Sequence, residues 1–400
     1  KIRRFSHIRE RIMSLVKYAG VSLIAMSASM GHAGGIEDSA LSAGFMFEKG
    51  SLGSVSAKSQ SPSLNATVGG TAATTASLVG SLTTTNLKAK TDVLDNLSVG
   101  INYYRQAGIK LDYQTNFAAA MGAANFPKVD LDVTALTLLV RYGVNENFSL
   151  LGGLKNGTAS NATVNIPMLL ADATATGKDS LSYVAGVAYE IPEIAFRAEL
   201  VYETAADYSL PTSFAAVTTV GVGTFAGDAA GKIDASTPSY TNLYVQSGIA
   251  EDTLLFGSLR QADWKKNQIS YTHAGSQTVP GVSALGTPYQ LSSFTDSTSY
   301  EIGLGRKFGD TWSSSIAYNW EDGDGTGSTT SMFTLSDGRQ GLSVGVKYSL
   351  NENTTINFGG NYTKFGKVTG AWGAAVGLPA NPIFDGNSAT TLGANISHSF

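Results

Sequence analysis

The sequence predicts an all-β protein, a transmembrane 14-stranded antiparallel β-barrel with a short N-terminal plug segment. Apolar and polar residues alternate with a period of two, which is typical of strands. Charged residues make up only 14% of the 400 residues, whereas soluble domains carry roughly 25%. After the N-terminal region no segment holds 18 uninterrupted apolar residues, so strands rather than helices are expected to cross the membrane.

Residues 1–33 have the pattern of a secretory signal peptide. A basic stretch ends at Lys17, an apolar run follows from Tyr18 to Met30, and the small-residue sequence Gly31-His32-Ala33 precedes Gly34. The run is shorter than the about 20 residues of a membrane anchor, so we expect cleavage after Ala33. Cleavage removes six of the 27 basic and one of the 31 acidic residues, which leaves 21 and 30 and a net charge of −9. No nucleic acid is therefore expected as a partner.

Residues 34–50, GGIEDSALSAGFMFEKG, precede the first clear strand. The segment is short and mixed in polarity, and we interpret it as a hatch or plug in the barrel mouth. A mobile periplasmic tail is the alternative. Residues 51–400 are expected to form the barrel.

One hairpin pattern occurs twice and justifies the strands. In residues 133–155, VTALTLLVRYGVNENFSLLGGLK, the side chains of Leu136, Leu138 and Val140 point one way, and those of Thr137 and Arg141 point the other. A polar Asn-Glu-Asn turn follows. Residues 341–365, GLSVGVKYSLNENTTINFGGNYTKF, repeat the alternation and the turn. Each strand is long enough to cross the apolar band of an outer membrane.

Short and long connections alternate along the rest of the chain. Six short ones and seven long ones join fourteen strands, with both termini on the short-turn side, as in bacterial outer-membrane barrels with short periplasmic turns. We therefore expect a lipid-covered protein in the outer membrane of a Gram-negative bacterium. The short connections are at residues 94–96, 145–147, 192–193, 251–253, 309–311 and 351–353, and the long ones centre on residues 61–81, 112–128, 160–178, 209–238, 272–294, 323–336 and 367–388.

Aromatic residues occur where interface girdles are expected. The last strand carries Leu392, Ile396 and the terminal Phe400 on one face, a pattern typical of the signal that the barrel-assembly machinery reads. The girdle candidates are Tyr103, Tyr104, Tyr142, Tyr183, Tyr189, Tyr202, Trp264, Trp312, Tyr318, Trp320, Tyr348 and Tyr362.

The face opposite the apolar one is expected to line the lumen, because a charge on the lipid face costs about 2–4 kcal/mol at mid-membrane. Two interpretations stay open for these residues: ion pairs that fill the barrel, or a polar path that holds a ligand's carboxylate. The lumen-lining basic candidates are Arg141, Lys155, Arg197 and Arg260, accompanied by Glu199, Glu301, Lys307 and Lys347.

Three of the long loops are apolar. Such loops either pack on each other or form a hydrophobic groove, and Met and Phe among small residues suit an adaptable binding site. The substrate-binding candidates in these loops are Phe117, Met121, Phe126, Met168, Leu169, Leu170, Phe214 and Phe225.

The enzyme-like motifs in the sequence do not have the context that catalysis requires, and we expect no enzyme, cofactor or metal site. Residues 341–345 match G-x-S-x-G but lie within a strand rather than at a strand-to-helix elbow. After cleavage only His273 and His398 remain. The Asp322–Gly327 stretch resembles the start of a calcium loop, but Phe333 stands where the bidentate Glu belongs.

Four stretches resemble the FadL/TodX family of outer-membrane transporters of long-chain fatty acids and hydrophobic compounds. They are the N-terminal segment above, TNLKAKTDVLDNLSVGINYY (85–104), YVAGVAYEIPEIAFRAELVYE (183–203) and IAEDTLLFGSLRQADW (249–264). The resemblance implies a barrel plugged by an N-terminal hatch, with ligand captured by outer loops and released inward or sideways through the wall. The family's hatch is typically longer and carries an Asn-Pro-Ala element, which the segment here lacks. Gly108 is a candidate for a kink that opens the wall.

The expected function is therefore passive uptake of long-chain fatty acids or similar hydrophobic molecules. The alternative is a general diffusion porin for small hydrophilic solutes, and a third class is a structural or adhesive surface barrel. The sequence does not distinguish among hydrophobic substrates.

Overall fold

Fourteen long antiparallel strands close into one barrel, in agreement with the prediction. The computed structural model describes residues 36–68, 74–116, 128–166, 171–214, 217–219, 223–225, 231–273, 288–376 and 378–400. Neighbouring strands follow chain order, and the last pairs with the first from Leu52–Ser399 to Ser63–Ser388. The strands are β1 Leu52–Ser63, β2 Leu82–Leu94, β3 Leu97–Asp112, β4 Lys128–Gly143, β5 Phe148–Ala159, β6 Lys178–Ile191, β7 Phe196–Glu203, β8 Tyr240–Ala250, β9 Thr253–Ala262, β10 Ser297–Phe308, β11 Trp312–Glu321, β12 Arg339–Ser349, β13 Thr354–Phe365 and β14 Ser388–Ser399.

The period-two pattern places apolar side chains on the outside of the barrel. On β4, Leu136, Leu138 and Val140 are exposed, whereas Thr137 and Leu139 between them are completely buried. The same outward apolar face continues around the barrel through residues such as Tyr183, Ile302, Val344 and Ile396. A surface of this kind is stable against lipid tails and unstable against water.

Two of the predicted girdle residues are wrong. Tyr104 is 1% exposed and lies inside the barrel, because adjacent strand residues face opposite sides and Tyr103 already faces outward. Trp264 is also 1% exposed. It lies just after β9 in the 3₁₀ turn Trp264–Lys266, and its indole packs edge-on against Phe294 at 5.5 Å between ring centroids.

The short connections share one end of the barrel, which we call the turn end; the long ones share the loop end. The two Asn-Glu-Asn turns close in the same way. Asn145 Oδ1 accepts hydrogen bonds from the backbone N–H groups of Asn147 and Phe148, at 2.9 and 2.8 Å. Asn351 Oδ1 accepts the equivalent bonds from Asn353 and Thr354, at 3.0 and 2.7 Å. An Asn side chain that mimics a backbone turn explains why this tripeptide occurs twice.

Shorter elements extend and cap the loop end. None of the helices in the described ranges is long and apolar enough to span a membrane. Short strands that continue the wall are Ala162–Ile166, Ala171–Ala175, Ala206–Phe214, Gly231–Thr237, Ser270–His273 and Tyr289–Gln290; Thr67–Val68, Ser328–Thr329, Val368–Gly370 and Pro382–Phe384 form a small separate sheet, and Val217–Thr219 pairs with Gly223–Phe225. The helical turns are Gly44–Phe47, Tyr113–Asn116, Pro192–Ile194, Trp264–Lys266 and Gly373–Val376.

Among the described residues, two apolar clusters lie inside the barrel. The larger one, at the loop end, joins loop residues such as Leu64, Leu78, Trp264 and Phe384 to the inner wall. The smaller one packs Leu41, Phe45 and Met46 of the N-terminal segment against Leu139, Leu151 and other inner-wall residues. The segment therefore lies within the lumen, between the larger cluster and the turn end.

Candidate functional site

The wall is interrupted between β2 and β3. These strands pair only from Leu87–Tyr103 to Leu94–Leu97. Beyond Leu87, β2 continues to Leu82 paired with β1 alone, and beyond Tyr103, β3 continues to Asp112 paired with β4. Residues 78–80, just before β2, pair again with the end of β3 through the Val79–Leu111 bridge, which bounds the separation at the loop end. We call this separation the seam. It begins at the level of Tyr103 and Leu87, both of which are exposed on the outer face.

A β-bulge marks the point where β3 leaves β2. Arg105 pairs with Thr134 and Ala107 with Val133, so Gln106 is an extra residue on β3. A bulge bends its strand and increases the local twist. Four consecutive residues, Tyr104–Ala107, are buried, which breaks the period-two pattern of an ordinary barrel strand. The register shift lies immediately before Gly108.

The N-terminal segment pairs with the edge of β3 that β2 leaves open. The carbonyl of Gln106 accepts hydrogen bonds from Asp38 N and Ser39 N, at 2.8 and 3.2 Å, and Gly108 N donates to the Ile36 carbonyl at 2.9 Å. Glu37 and Ala107 form an isolated antiparallel bridge. The bulge and the segment thus satisfy each other's backbone groups.

Ion pairs tie the same segment to three strands. Asp38 is 2% exposed and lies 3.2 Å from Lys58 Nζ on β1 and 3.8 Å from Arg105 Nη1 on β3. Arg105 also pairs with Asp132 on the outer face of β4, at 2.5 Å. Glu37 pairs with Arg260 on β9, whose guanidinium stacks 3.8 Å from the Tyr240 ring centroid. Phe47, near the turn end, lies between the guanidinium groups of Arg141 and Arg197, 4.4 and 4.7 Å from its ring centroid.

A cavity of about 420 Å³ lies beside the segment. At the seam it is lined by Thr85, Asn86, Tyr104 and Arg105, and at the turn end by the Asn351–Asn353 turn. One side is apolar, with Leu41, Phe45 and Phe256; the other is rich in hydroxyl and amide groups from β1 and β14. The cavity therefore connects the interrupted wall with the turn end and can hold a molecule that has both apolar and polar parts.

The predicted lumen-lining basic residues lie inside the barrel, and each contacts a carboxylate. The most deeply buried pair is Lys155–Glu203. The two side chains are 0% and 1% exposed, and Lys155 Nζ lies 2.9 Å from Glu203 Oε2. Of the two interpretations left open, these contacts favour ion pairs for the resting protein, although Arg197 and Arg260 also line the cavity. The remaining pairs are Arg141–Glu190 at 2.7 Å, Arg197–Glu199 at 2.6 Å, and Arg260 with Glu37 and Glu203.

The predicted hydrophobic loop residues lie almost entirely outside the described residues. This holds for Phe117, Met121, Phe126, Met168, Leu169 and Leu170. Phe214 ends the strand Ala206–Phe214, and Phe225 ends Gly223–Phe225.

Sequence reasoning missed the apolar cluster at the loop end. Tyr113 and Trp372 meet edge-on at its centre, with ring centroids 5.6 Å apart. The hydroxyl of Tyr113 donates to the Met332 carbonyl at 3.0 Å, and burial raises the pKa of Tyr113 well above its usual value. The sequence did carry a signal for this cluster, namely large aromatic residues in Gly- and Ser-rich loops. Among them are Phe294, Phe333, Trp372 and Phe384.

The motifs set aside in the sequence have ordinary structural roles. Ser343, of the G-x-S-x-G match, lies inside β12 and accepts hydrogen bonds from Asn319 Nδ2 and Asn361 Nδ2, at 3.1 and 2.9 Å. Asp324 Oδ1 accepts from the backbone N–H of Thr326 at 2.8 Å, as in an Asx turn. Across the part of the chain that the structure describes, no three His, Cys, Asp or Glu side chains are grouped to hold a metal ion.

Comparison with known proteins identifies the architecture. No family model and no curated protein matches the chain. Among solved structures, a FadL homologue of Pseudomonas aeruginosa superposes with a TM-score of 0.69 at 11% identity, covering 90% of this chain and 92% of that one. The chain has the FadL-type fold. The toluene transporter TbuX of Ralstonia pickettii (TM-score 0.61, 11% identity, 88% and 90% covered) and the toluene transporter TodX of Pseudomonas putida (0.60, 11%, 93% and 96%) share this FadL-type barrel.

Proposed function

We propose that this FadL-type barrel carries hydrophobic molecules passively into the outer membrane or across it, with long-chain fatty acids or similar compounds as substrates. The seam supports the proposal most directly, because the residues that border this unpaired stretch of the wall also line a lumen cavity with an apolar side. The solved structures with this fold include proteins described as toluene transporters and a monoaromatic hydrocarbon channel. In this proposal the barrel performs no catalysis.

Sideways movement through the seam suits a hydrophobic ligand. Each methylene that leaves water for an apolar phase gains about 0.8 kcal/mol, so a chain of about sixteen methylenes gains roughly 13 kcal/mol. A ligand that passes through the wall into lipid never exposes its tail to water. The transfer of the apolar tail from water into lipid then drives transport, and no other energy source is needed.

The apolar outer loops are proposed as the first binding site. In cells that lack their own transporter, Phe117→Asp, Met121→Asp and Phe126→Asp should each abolish saturable uptake of labelled oleate, since an unpaired charge in an apolar site costs several kcal/mol and about 1.4 kcal/mol already corresponds to a tenfold change. The matched control is Phe117→Leu, which keeps the site apolar. Wild-type uptake in all three Asp variants, with the barrel present in the outer membrane, would contradict the loop assignment.

A porin for small hydrophilic solutes is the second candidate. The hydroxyl-rich side of the cavity favours it, whereas the apolar cluster at the loop end opposes a continuous water path. We expect the protein in a planar bilayer to show little steady conductance. Large, stable single-channel currents together with an absence of oleate uptake would favour the porin.

Targeting follows from the same proposal. Residues 1–33 would direct secretion, residues 34–50 would act as the hatch, and the strand ending at Phe400 would be read by the barrel-assembly machinery. The Phe400 ring is 82% exposed on the outer face, while its backbone N–H donates to the Ser51 carbonyl at 2.9 Å.

A further inference from the structure

Lys88 on β2 points into the lumen cavity. It stands in register between Ser54 of β1 and Asn102 of β3, and Lys88 and Ser54 both line the cavity. Its ammonium group lies 5.6 Å from the ring centroid of Phe45, over the N-terminal segment. A cation–π contact of this kind supplies part of the stabilisation that a desolvated ammonium group needs.

Lys88 differs from most inward-facing cations in having no carboxylate within 4 Å among the described residues. Eight of the others pair within 4 Å: Lys58–Asp38, Lys90–Asp92, Arg105–Asp38, Arg141–Glu190, Lys155–Glu203, Arg197–Glu199, Arg260–Glu37 and Arg339–Glu321. Lys347, which lines the same cavity, has Glu48 as its acidic neighbour. A partly buried charge without a counter-charge is costly. Lys88 therefore presents a positive charge that an anion in the cavity would pair with.

Hydroxyl and amide groups surround the position that such an anion would take. Ser54 lies opposite Lys88, and Ser56 opposite Asn86. Asn395 Nδ2 and Ser397 Oγ on β14 both donate to Ser54 Oγ, at 2.6 and 3.1 Å, so Ser54 accepts both bonds and its own hydroxyl proton is able to turn toward the cavity. Across from these groups lie the apolar side chains of Leu41, Phe45 and Phe256.

We propose that Lys88 and Ser54 form a binding site for the carboxylate of an amphiphilic acid, with its apolar body against Phe45 and Leu41. The inference rests on the proposed function and adds a second ligand-binding site to it, between the seam and the turn end. Carboxylate is the fitting head group, because an ammonium and a hydroxyl donor side by side match its two oxygens. Acids are then held inside the barrel, whereas neutral hydrocarbons have no polar contact here.

The test compares two ligands that differ only in the head group. Octanoate and octan-1-ol are titrated by calorimetry into the full chain in phospholipid nanodiscs, for the wild type, Lys88→Met, Lys88→Arg and Lys265→Met. Lys265 is exposed at the loop end and serves as the matched control. We expect Lys88→Met to weaken octanoate binding by about tenfold, the loss of one charge-assisted contact, and to leave octan-1-ol binding unchanged. Lys88→Arg and Lys265→Met should bind both ligands as the wild type does.

Equal octanoate affinity in the wild type and Lys88→Met would overturn the site. An equal loss for both ligands would also overturn it, because Lys88 would then shape the cavity rather than bind the head group. The proposed function is tested separately by uptake in cells. Octanoate binding that depends on Lys88, in a protein that carries no hydrophobic compound, would uphold the site and reject the transport proposal.

Discussion

The β2–β3 wall and the β4–β5 wall are built from similar strands but end differently. β4 and β5 stay paired from Gly143–Ser149 at the turn end to Val133–Ala159 at the loop end. β2 and β3 are as long, with 13 and 16 residues, yet they part after Leu87–Tyr103. Strand length therefore does not determine whether this barrel wall is closed. A single extra residue on β3, together with a segment that pairs with the freed edge, determines it.

Close packing between neighbouring strands occurs in both walls. A Cβ atom on Gly108 would lie 2.6 Å from the Leu131 carbonyl oxygen, so β3 and β4 approach each other more closely there than a side chain allows. On the β5 side of β4, a Cβ atom on Gly152 would meet nothing within 4 Å. On the inner face of β5, however, a Cβ atom on Gly153 would lie 2.5 Å from the Leu138 carbonyl oxygen, so the straight wall is packed as closely as the bent one and packing does not distinguish them.

The largest effect is expected from removing the bulge. Deletion of Gln106 restores one-to-one pairing between β3 and β4, which favours continued pairing of β3 with β2. It also removes the carbonyl that accepts hydrogen bonds from Asp38 and Ser39. If the seam is the exit, uptake of labelled oleate should fall to near background while the heat-modifiable mobility of a folded barrel persists.

Gln106→Ala is the control for this deletion, since it keeps the bulge and its carbonyl and should transport like the wild type. Full uptake by a folded deletion variant would show that ligand leaves by another route, and the comparison of the two walls would then have no functional meaning.

A smaller effect is expected from breaking the link between the segment and the far wall. Arg260→Met leaves Glu37 without its cation, and a partly buried ion pair that loses one partner costs about 3–5 kcal/mol. We expect a lower midpoint for urea unfolding and larger current fluctuations in planar bilayers, because the segment is less firmly held. Lys367→Met, which removes half of the exposed Lys367–Asp385 pair, should cost no more than about 1 kcal/mol. Equal midpoints for the two variants would mean that Arg260 does not anchor the segment.

The regular strands and turns were predictable from the sequence. The bulge on β3 and the burial of Trp264 were not, although Gly108 indicated a bend. Alternation on β4 and the Asn-Glu-Asn turns predicted the strands, because a period of two and an Asx turn are local properties. Gly108 indicated a bend, but the extra residue is Gln106, and its position depends on contacts with Asp38 about 70 residues away. The burial of Trp264 likewise depends on Phe294 in a later loop. Such long-range contacts leave no periodic signal in one sequence.

The smallest effect is expected where the segment meets the closed part of the β2–β3 wall. A Cβ atom on Gly100 would lie 2.5 Å from Met46 Sδ and 2.8 Å from Phe45 Cε2, so Gly100→Leu should push the Gly44–Phe47 turn off the wall without disturbing the outer face. We expect trypsin to cleave after the exposed Lys49 several-fold faster in the purified variant. Gly152→Ala, which adds a methyl group to the open β5 position, is the matched control and should be cleaved like the wild type. Unchanged cleavage in Gly100→Leu would mean that the segment is held by its seam contacts alone. The seam would then be the only feature that distinguishes the β2–β3 wall from the β4–β5 wall.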